Sequence, residues 1–226
     1  MDNSDSSRSK SEEKPPISAS TSLWKQHGEE DIGYQRQAQV TWWTLLGGIA
    51  VAALLTQFEV LLEAIKNGQW YYLLFFFSTC FIIVNSWIQT VWGALVLYWP
   101  IGVLTSIFLF MEGLCESLAA LNITRPVLWT ASIACVILFA VLIQLVFMKQ
   151  EAWIALPKDA IKRAIMGIWV YTILFVVTLG ASIYLYVFPS RQAELIWGVV
   201  AFIFSILALY WQHLGMKEEK KRMHIA

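Results

Sequence analysis

Two pairs of glutamates stand inside apolar stretches of the sequence. Glu59 and Glu63 belong to QFEVLLEAI, and Glu112 and Glu116 belong to FMEGLCES. The i, i+4 spacing within each pair places both carboxylates on one face of a helix. Two such faces brought together make an oxygen-rich site able to bind a cation, to concentrate cations at a pore mouth or to share protons. The alternative is that each pair marks a helix end among lipid headgroups, where an ionised glutamate costs little.

Amide side chains add a few polar groups to the same apolar stretches. Gln57 stands beside the first glutamate pair, and Asn85, Gln89 and Gln144 are expected toward the cytoplasmic ends of their helices. Such amides most often hydrogen-bond between helices, with measured strengths of about 0.6 kcal/mol on average. We therefore expect a sparse polar pathway at most, and an almost featureless middle of the helix bundle.

Signatures of enzymes and of metal sites are missing from the sequence. Of three histidines only His213 lies near an apolar stretch, which argues against a histidine metal cluster or a two-histidine haem site. The motifs GxSxG and HExxH and a phosphate-binding glycine loop are absent. Cys80, Cys115 and Cys135 have no CxxC spacing and are expected to be small buried hydrophobes. We predict no catalytic residue, no metal and no cofactor, which weighs against an enzyme.

The composition predicts an integral membrane protein. Of 226 residues, 58% are hydrophobic and 14% are charged, against about 25% charged in typical soluble domains. The 45 residues between Lys66 and Glu112 contain no Asp, Glu, Lys, Arg or His. As one helix this run would extend about 68 Å, roughly twice a hydrocarbon core of about 30 Å, so it must form a hairpin of two spans.

The hydropathy pattern predicts an all-α fold, a polytopic bundle of about six transmembrane helices. A disordered polar tail is expected at residues 1–39, the membrane domain at 40–214 and a charged tail at 215–226. The predicted spans are 41–65, 70–90, a third from either Gly93 or Pro100 to Leu118, 126–147, 165–188 and 195–214.

Lysine and arginine counts predict the orientation of the bundle. With a cytoplasmic N-terminus, thirteen of these residues fall on the cytoplasmic side and three on the other, which fits the positive-inside rule with both termini cytoplasmic. The first and third spans then run outward, so all four glutamates fall on the non-cytoplasmic side. Glu59 and Glu112 are expected roughly 6–9 Å inside their helix ends, and the pattern raises the question of whether they face each other.

Two classes of function fit these expectations. One is a small channel or transporter for an ion or small solute, with the acidic cluster on its outer side. Similarity between WYYLLFFFST and WVYTILFVVT fits an inverted repeat, an architecture of many secondary transporters. The alternative is a non-catalytic accessory or assembly subunit of a larger membrane complex. Expected partners are the bilayer of the plasma membrane or an internal membrane, and a homo-oligomer or larger complex; the zero net charge does not suggest nucleic acid.

Overall fold

The computed structural model describes residues 19–95, 103–149 and 158–222, and nearly all of them are helical. An apolar environment requires this, since each backbone N–H and C=O must find its partner within the chain. The helices are α1 Ala19–Thr56, α2 Phe58–Lys66, α3 Tyr72–Leu95, α4 Val103–Leu121, α5 Pro126–Met148, α6 Lys158–Val187 and α7 Arg191–Arg222.

Six helical segments are long and apolar enough to cross a membrane, which confirms the predicted number. The first combines the second half of α1 with α2, interrupted only by a turn at Gln57. The cytoplasmic location of both termini stays a prediction. The segments are Gln37–Lys66, Tyr72–Val91, Val103–Leu121, Pro126–Val146, Ile165–Val187 and Arg191–Lys217.

Helix boundaries differ from the predicted ones at several points. Helix α3 continues through Gly93 to Leu95, so the alternative that starts the third span at Gly93 is wrong. Pro100, the other predicted start, lies outside the described residues. Helix α1 begins at Ala19 and α7 continues to Arg222, beyond the apolar segments at both ends. The domain limits at residues 39 and 214 stay predictions.

The helices of the compact unit Arg36–Ala226 pack in two groups. Helices α4, α5 and α6 pack extensively in succession, and α3 packs extensively on α7. Backbone contacts between the groups, α3 with α4 and α6 with α7, are much sparser, while side chains of α3, α4 and α5 share one apolar core around Phe75 and Trp129. Half of the residues in the apolar stretch of α5 are buried, against 17% of those in α6 and 11% of those in α7.

The pairing of the helices does not repeat between the two halves of the chain. An inverted repeat would relate the α3–α7 pair to an α4–α6 pair, and the α4–α5 pair to a pair of α7 with α1. Among the described residues, α3–α7 and α4–α5 are extensive, whereas their counterparts show at most isolated contacts. The packing therefore gives the predicted repeat no support.

Close approach between α3 and α7 depends on Gly198. A methyl group at this position would lie 3.1 Å from Phe75 Cε2 and 3.4 Å from Leu74 Cβ. Phe75 is fully buried and packs edge-on against Trp129 of α5, with ring centroids 5.0 Å apart. The glycine therefore lets α7 approach the aromatic core directly.

A polar contact fastens α7 to the turn between α2 and α3. Tyr71 Oη donates a 2.7 Å hydrogen bond to Glu194 Oε2. Arg191 donates to the carbonyl of Gly68, whose φ of 76° suits glycine, and lies 5.8 Å from the centre of the Tyr71 ring. Burial, with hydrogen bonds to Tyr72 and Glu194, raises the pKa of Tyr71, so its hydroxyl stays a donor at physiological pH.

Replacing Gly198 by leucine should separate α3 from α7. We expect Gly198→Leu to lower the free energy of unfolding by about 1–3 kcal/mol through overpacking against Phe75 and Leu74. Thermal unfolding in detergent measures the effect. Gly180→Leu is the matched control, because Gly180 has open space around it. Equal unfolding temperatures for the two variants would contradict the packing described here.

Removing the Tyr71 hydroxyl should weaken the contact between α7 and the α2–α3 turn. We expect Tyr71→Phe to cost about 1 kcal/mol, because Glu194 loses a donor in a partly buried position. Tyr186→Phe provides the control, since Tyr186 is 76% exposed. Denaturant titration in mixed micelles compares the two variants, and an equal loss in both would rule out a special role for Tyr71.

Candidate functional site

Glu112 lies at the middle of its helix rather than near the outer end. Helix α4 runs from Val103 to Leu121, so Glu112 is nine residues from either end. It is 5% exposed. The predicted depth of roughly 6–9 Å is wrong, because the helix starts later and ends later than its hydropathy suggested. At about 1.5 Å per residue the carboxylate lies about 13 Å from each helix end.

The two glutamate pairs do not meet. Beside Glu112, Gly113 packs on α1, where an added methyl group would lie 3.1 Å from Leu46 Cβ. Glu59 follows Leu46 by 13 positions along the same span, which corresponds to about 20 Å. Glu59 and Glu63 are exposed on α2, and Gln57 is half-buried. The expected shared depth is therefore wrong, while a role of these three residues in binding a cation stays a prediction.

Glu116 extends the acidic face of α4 toward α3. It is 2% exposed, and the Ser86 side chain lies beside its carboxyl group. Among the described residues, its Oε1 atom has no hydrogen-bond partner. An ionised carboxylate buried in this way is costly unless a proton, a cation or hydrogen-bond donors compensate it.

A cavity of about 130 Å³ lies between the two groups of helices, and Glu112 lines it. Five helices contribute, and the lining extends from Trp129 and Trp197, near the starts of their apolar segments, to Gln89, near the end of its own. No Lys, Arg or His lines it in the part of the chain that the structure describes. The polar lining residues are Asn85, Ser86, Gln89, Glu112, Tyr171, Thr178 and Ser205; among the apolar ones are Ile133, Ile137, Leu174, Trp197 and Phe204.

Polar groups in the cavity are only partly paired with one another. Gln89 Nε2 donates a 2.7 Å hydrogen bond to Tyr171 Oη, which links α3 to α6. Within the described residues, the buried Asn85 Oδ1 has no donor and the buried Trp197 Nε1–H has no acceptor. Both atoms are covered by surrounding protein atoms, so they stay unpaired within the packing and do not reach the open space of the cavity.

The predicted intramembrane amides separate into two sets. Asn85 and Gln89 lie in the last third of the segment Tyr72–Val91, toward its end as expected, and both line the cavity together with Glu112. Gln144 is half-buried and its Oε1 atom faces α6 near Gly167. The expectation of a featureless middle is therefore wrong, since polar groups from several helices converge there.

Sequence reasoning missed Ser86, Tyr171 and Trp197. Trp197 stands near the start of its apolar segment, where tryptophans are usually found in the aromatic belt at the membrane interface, and Tyr171 belongs to the stretch WVYTILFVVT that was compared only for a repeat. A usable signal is the i, i+4 spacing of Asn85 and Gln89, which puts both amides on one face of α3. Trp129 also stands near the start of its segment, yet it is buried and donates a 2.8 Å hydrogen bond to Thr79 Oγ1.

Metal ligands do not converge at the cavity. Among the described residues, no three His, Cys, Asp or Glu side chains are grouped to hold a metal ion. Cys115 is buried, Cys80 is half-buried, and Cys135 is exposed rather than buried as expected. The cavity therefore offers hydrogen bonding and one lining carboxylate.

No protein-family model, no curated protein and no solved structure matches this chain. The six apolar helices identify a multi-span membrane protein.

The hydrogen bond between Gln89 and Tyr171 is open to a double-mutant cycle. We expect Gln89→Leu and Tyr171→Phe to be coupled by about 0.6 kcal/mol, and by no more than about 1.7, as found for hydrogen bonds in membrane proteins. Unfolding in mixed micelles gives the free energies. Gln89→Leu combined with Tyr184→Phe, which alters an exposed tyrosine of the same helix α6, should be additive. Additivity in both cycles would show that the contact contributes no stability.

Proposed function

We propose that the protein is a transporter that moves a small solute or ion across the membrane through the central cavity. The observation that carries the proposal is the buried Glu112 carboxylate at the middle of α4, lining a cavity that five helices share. Ionisable residues inside membrane segments are rare, and they usually mark pathways for substrates, ions or protons. Substrate sites of many secondary transporters also lie near the middle of the bilayer.

The division of the helices favours a transporter over a channel. One wall of the cavity comes from the α3–α7 pair, and the other comes from α4, α5 and α6. The groups meet in the apolar core, where Trp129 of α5 packs on Phe75 and bonds Thr79 of α3, and a rocking movement would pivot at that contact. Such a movement gives alternating access to a site that lies between two rigid groups. A channel can conduct through a fixed arrangement of helices, so it does not require two separate helix groups.

An accessory subunit of a larger membrane complex is the second candidate. Its specific support is the low burial of α6 and α7, whose apolar surfaces are large enough to pack against a neighbouring membrane protein or a second copy. Purification in mild detergent separates the candidates, because an accessory subunit copurifies with a larger chain in fixed stoichiometry. A homogeneous particle containing this chain alone supports the transporter.

Flux in proteoliposomes tests the transporter and compares the two glutamates. We expect uptake of K⁺, Na⁺ or methylammonium by the wild-type protein, and a decrease of about tenfold or more in Glu112→Gln. That factor is the loss of one charged hydrogen-bonding partner, about 1.5–3 kcal/mol. Glu59→Gln should retain flux, because Glu59 lies about 20 Å from the cavity level.

The flux of the Glu112→Gln and Glu59→Gln variants shows which of the two glutamate sites is wrong. Normal flux in Glu112→Gln, with normal membrane insertion, removes the cavity as the site. A loss confined to Glu59→Gln would instead support the cluster on the outer side that the sequence suggested.

A further inference from the structure

The charge of the cavity favours a cation. Glu112 lines it, and Glu116 follows one turn along the same helix face. The described lining residues include no cationic side chain that could compensate this charge. A bound cation removes the cost of burying the carboxylate, whereas an anion adds to it.

Hydrogen-bonding groups in the cavity suit a donor such as an ammonium group. An ammonium N–H group needs an oxygen acceptor, and the Glu112 carboxylate supplies one. Tyr171, whose Oη accepts a hydrogen bond from Gln89, belongs to the same lining. The lining therefore includes a carboxylate and a phenolic hydroxyl.

The rest of the cavity lining is apolar and suits the hydrocarbon part of a ligand. Ile133 and Ile137 of α5, Leu174 of α6 and Phe204 of α7 line it, together with the Trp197 indole. A bare inorganic cation prefers a shell of oxygen ligands and would leave these walls without contacts. Aromatic faces also attract an organic ammonium through cation–π interactions.

The volume of the cavity limits the size of its occupant. The space amounts to about 130 Å³, close to the roughly 150 Å³ of an apolar cavity that holds one benzene molecule. A single ring or a short alkyl chain fits this space.

We propose that the cavity binds a small organic monocation of about the size of benzylammonium. Its ammonium group lies at Glu112, and its hydrocarbon part packs against Ile137 and Leu174. This assignment rests on the proposed function, since it names the class of substrate for the same cavity.

Binding to the purified full-length chain tests the assignment without requiring transport. Benzylammonium chloride is titrated in detergent while the unfolding temperature and tryptophan fluorescence are followed, because Trp197 lines the cavity. Benzyl alcohol is the neutral analogue, benzoate the anionic one and KCl the inorganic control. We expect saturable stabilisation by benzylammonium, at least about tenfold tighter than binding of benzyl alcohol.

Two variants connect the binding to the cavity. Glu112→Gln should weaken benzylammonium binding to the level of benzyl alcohol, and Asn85→Leu should weaken it several-fold. Asn122→Leu is the matched control for the second, because Asn122 lies beyond the end of α4 and bonds the Leu118 carbonyl. If Glu112→Gln does not fold, the comparison of Asn85→Leu with Asn122→Leu decides.

The possible outcomes separate this inference from the proposed function. Equal binding of benzyl alcohol and benzylammonium, or stronger stabilisation by KCl, overturns the organic cation. Flux of a different solute that benzylammonium does not inhibit overturns this inference and leaves transport standing. Specific binding of benzylammonium without flux of any cation overturns transport and leaves the site standing.

Discussion

A carboxylate at the middle of a membrane helix costs free energy, and this cost determines how the helices of the bundle are turned toward one another. Glu112 lies halfway along α4, where a charge facing lipid costs several kcal/mol. The bundle meets this constraint by turning that face of α4 inward, toward Asn85, Ser86 and Gln89 of α3 and Tyr171 of α6. Polar groups from three helices thus collect at one depth, and outward faces remain apolar.

The two groups of helices follow from where small residues allow close packing. Gly198 brings α7 onto the aromatic core of α3, and Gly113 brings α4 against Leu46 of α1. Between the groups, no comparable glycine contact joins α6 to α7 among the described residues. The cavity lies between the groups, beside the contact of Trp129 with Phe75 and Thr79, while the Tyr71–Glu194 hydrogen bond ties α7 to the α2–α3 turn at one end of the pair.

Hydropathy alone predicted six spans and an all-α membrane fold, because lipid leaves the backbone few alternatives. It placed Glu112 wrongly, since a 45-residue uncharged run does not show where its second helix begins. Trp129 and Trp197 stand near the starts of their spans, where belt and core tryptophans look alike in one sequence. Which face of each helix meets another is a property of packing, so the convergence of Gln89 on Tyr171 became visible only in three dimensions.

The most direct test of the central claim is the distance along the membrane normal between the carboxyl groups of Glu112 and Glu59. It can be measured in a structure determined by electron cryomicroscopy in lipid nanodiscs. A mid-membrane site predicts about 20 Å, with Glu112 near the bilayer centre and turned toward Tyr171. A separation of less than one helical turn, about 5.4 Å, with both carboxyl groups among the headgroups, would contradict it.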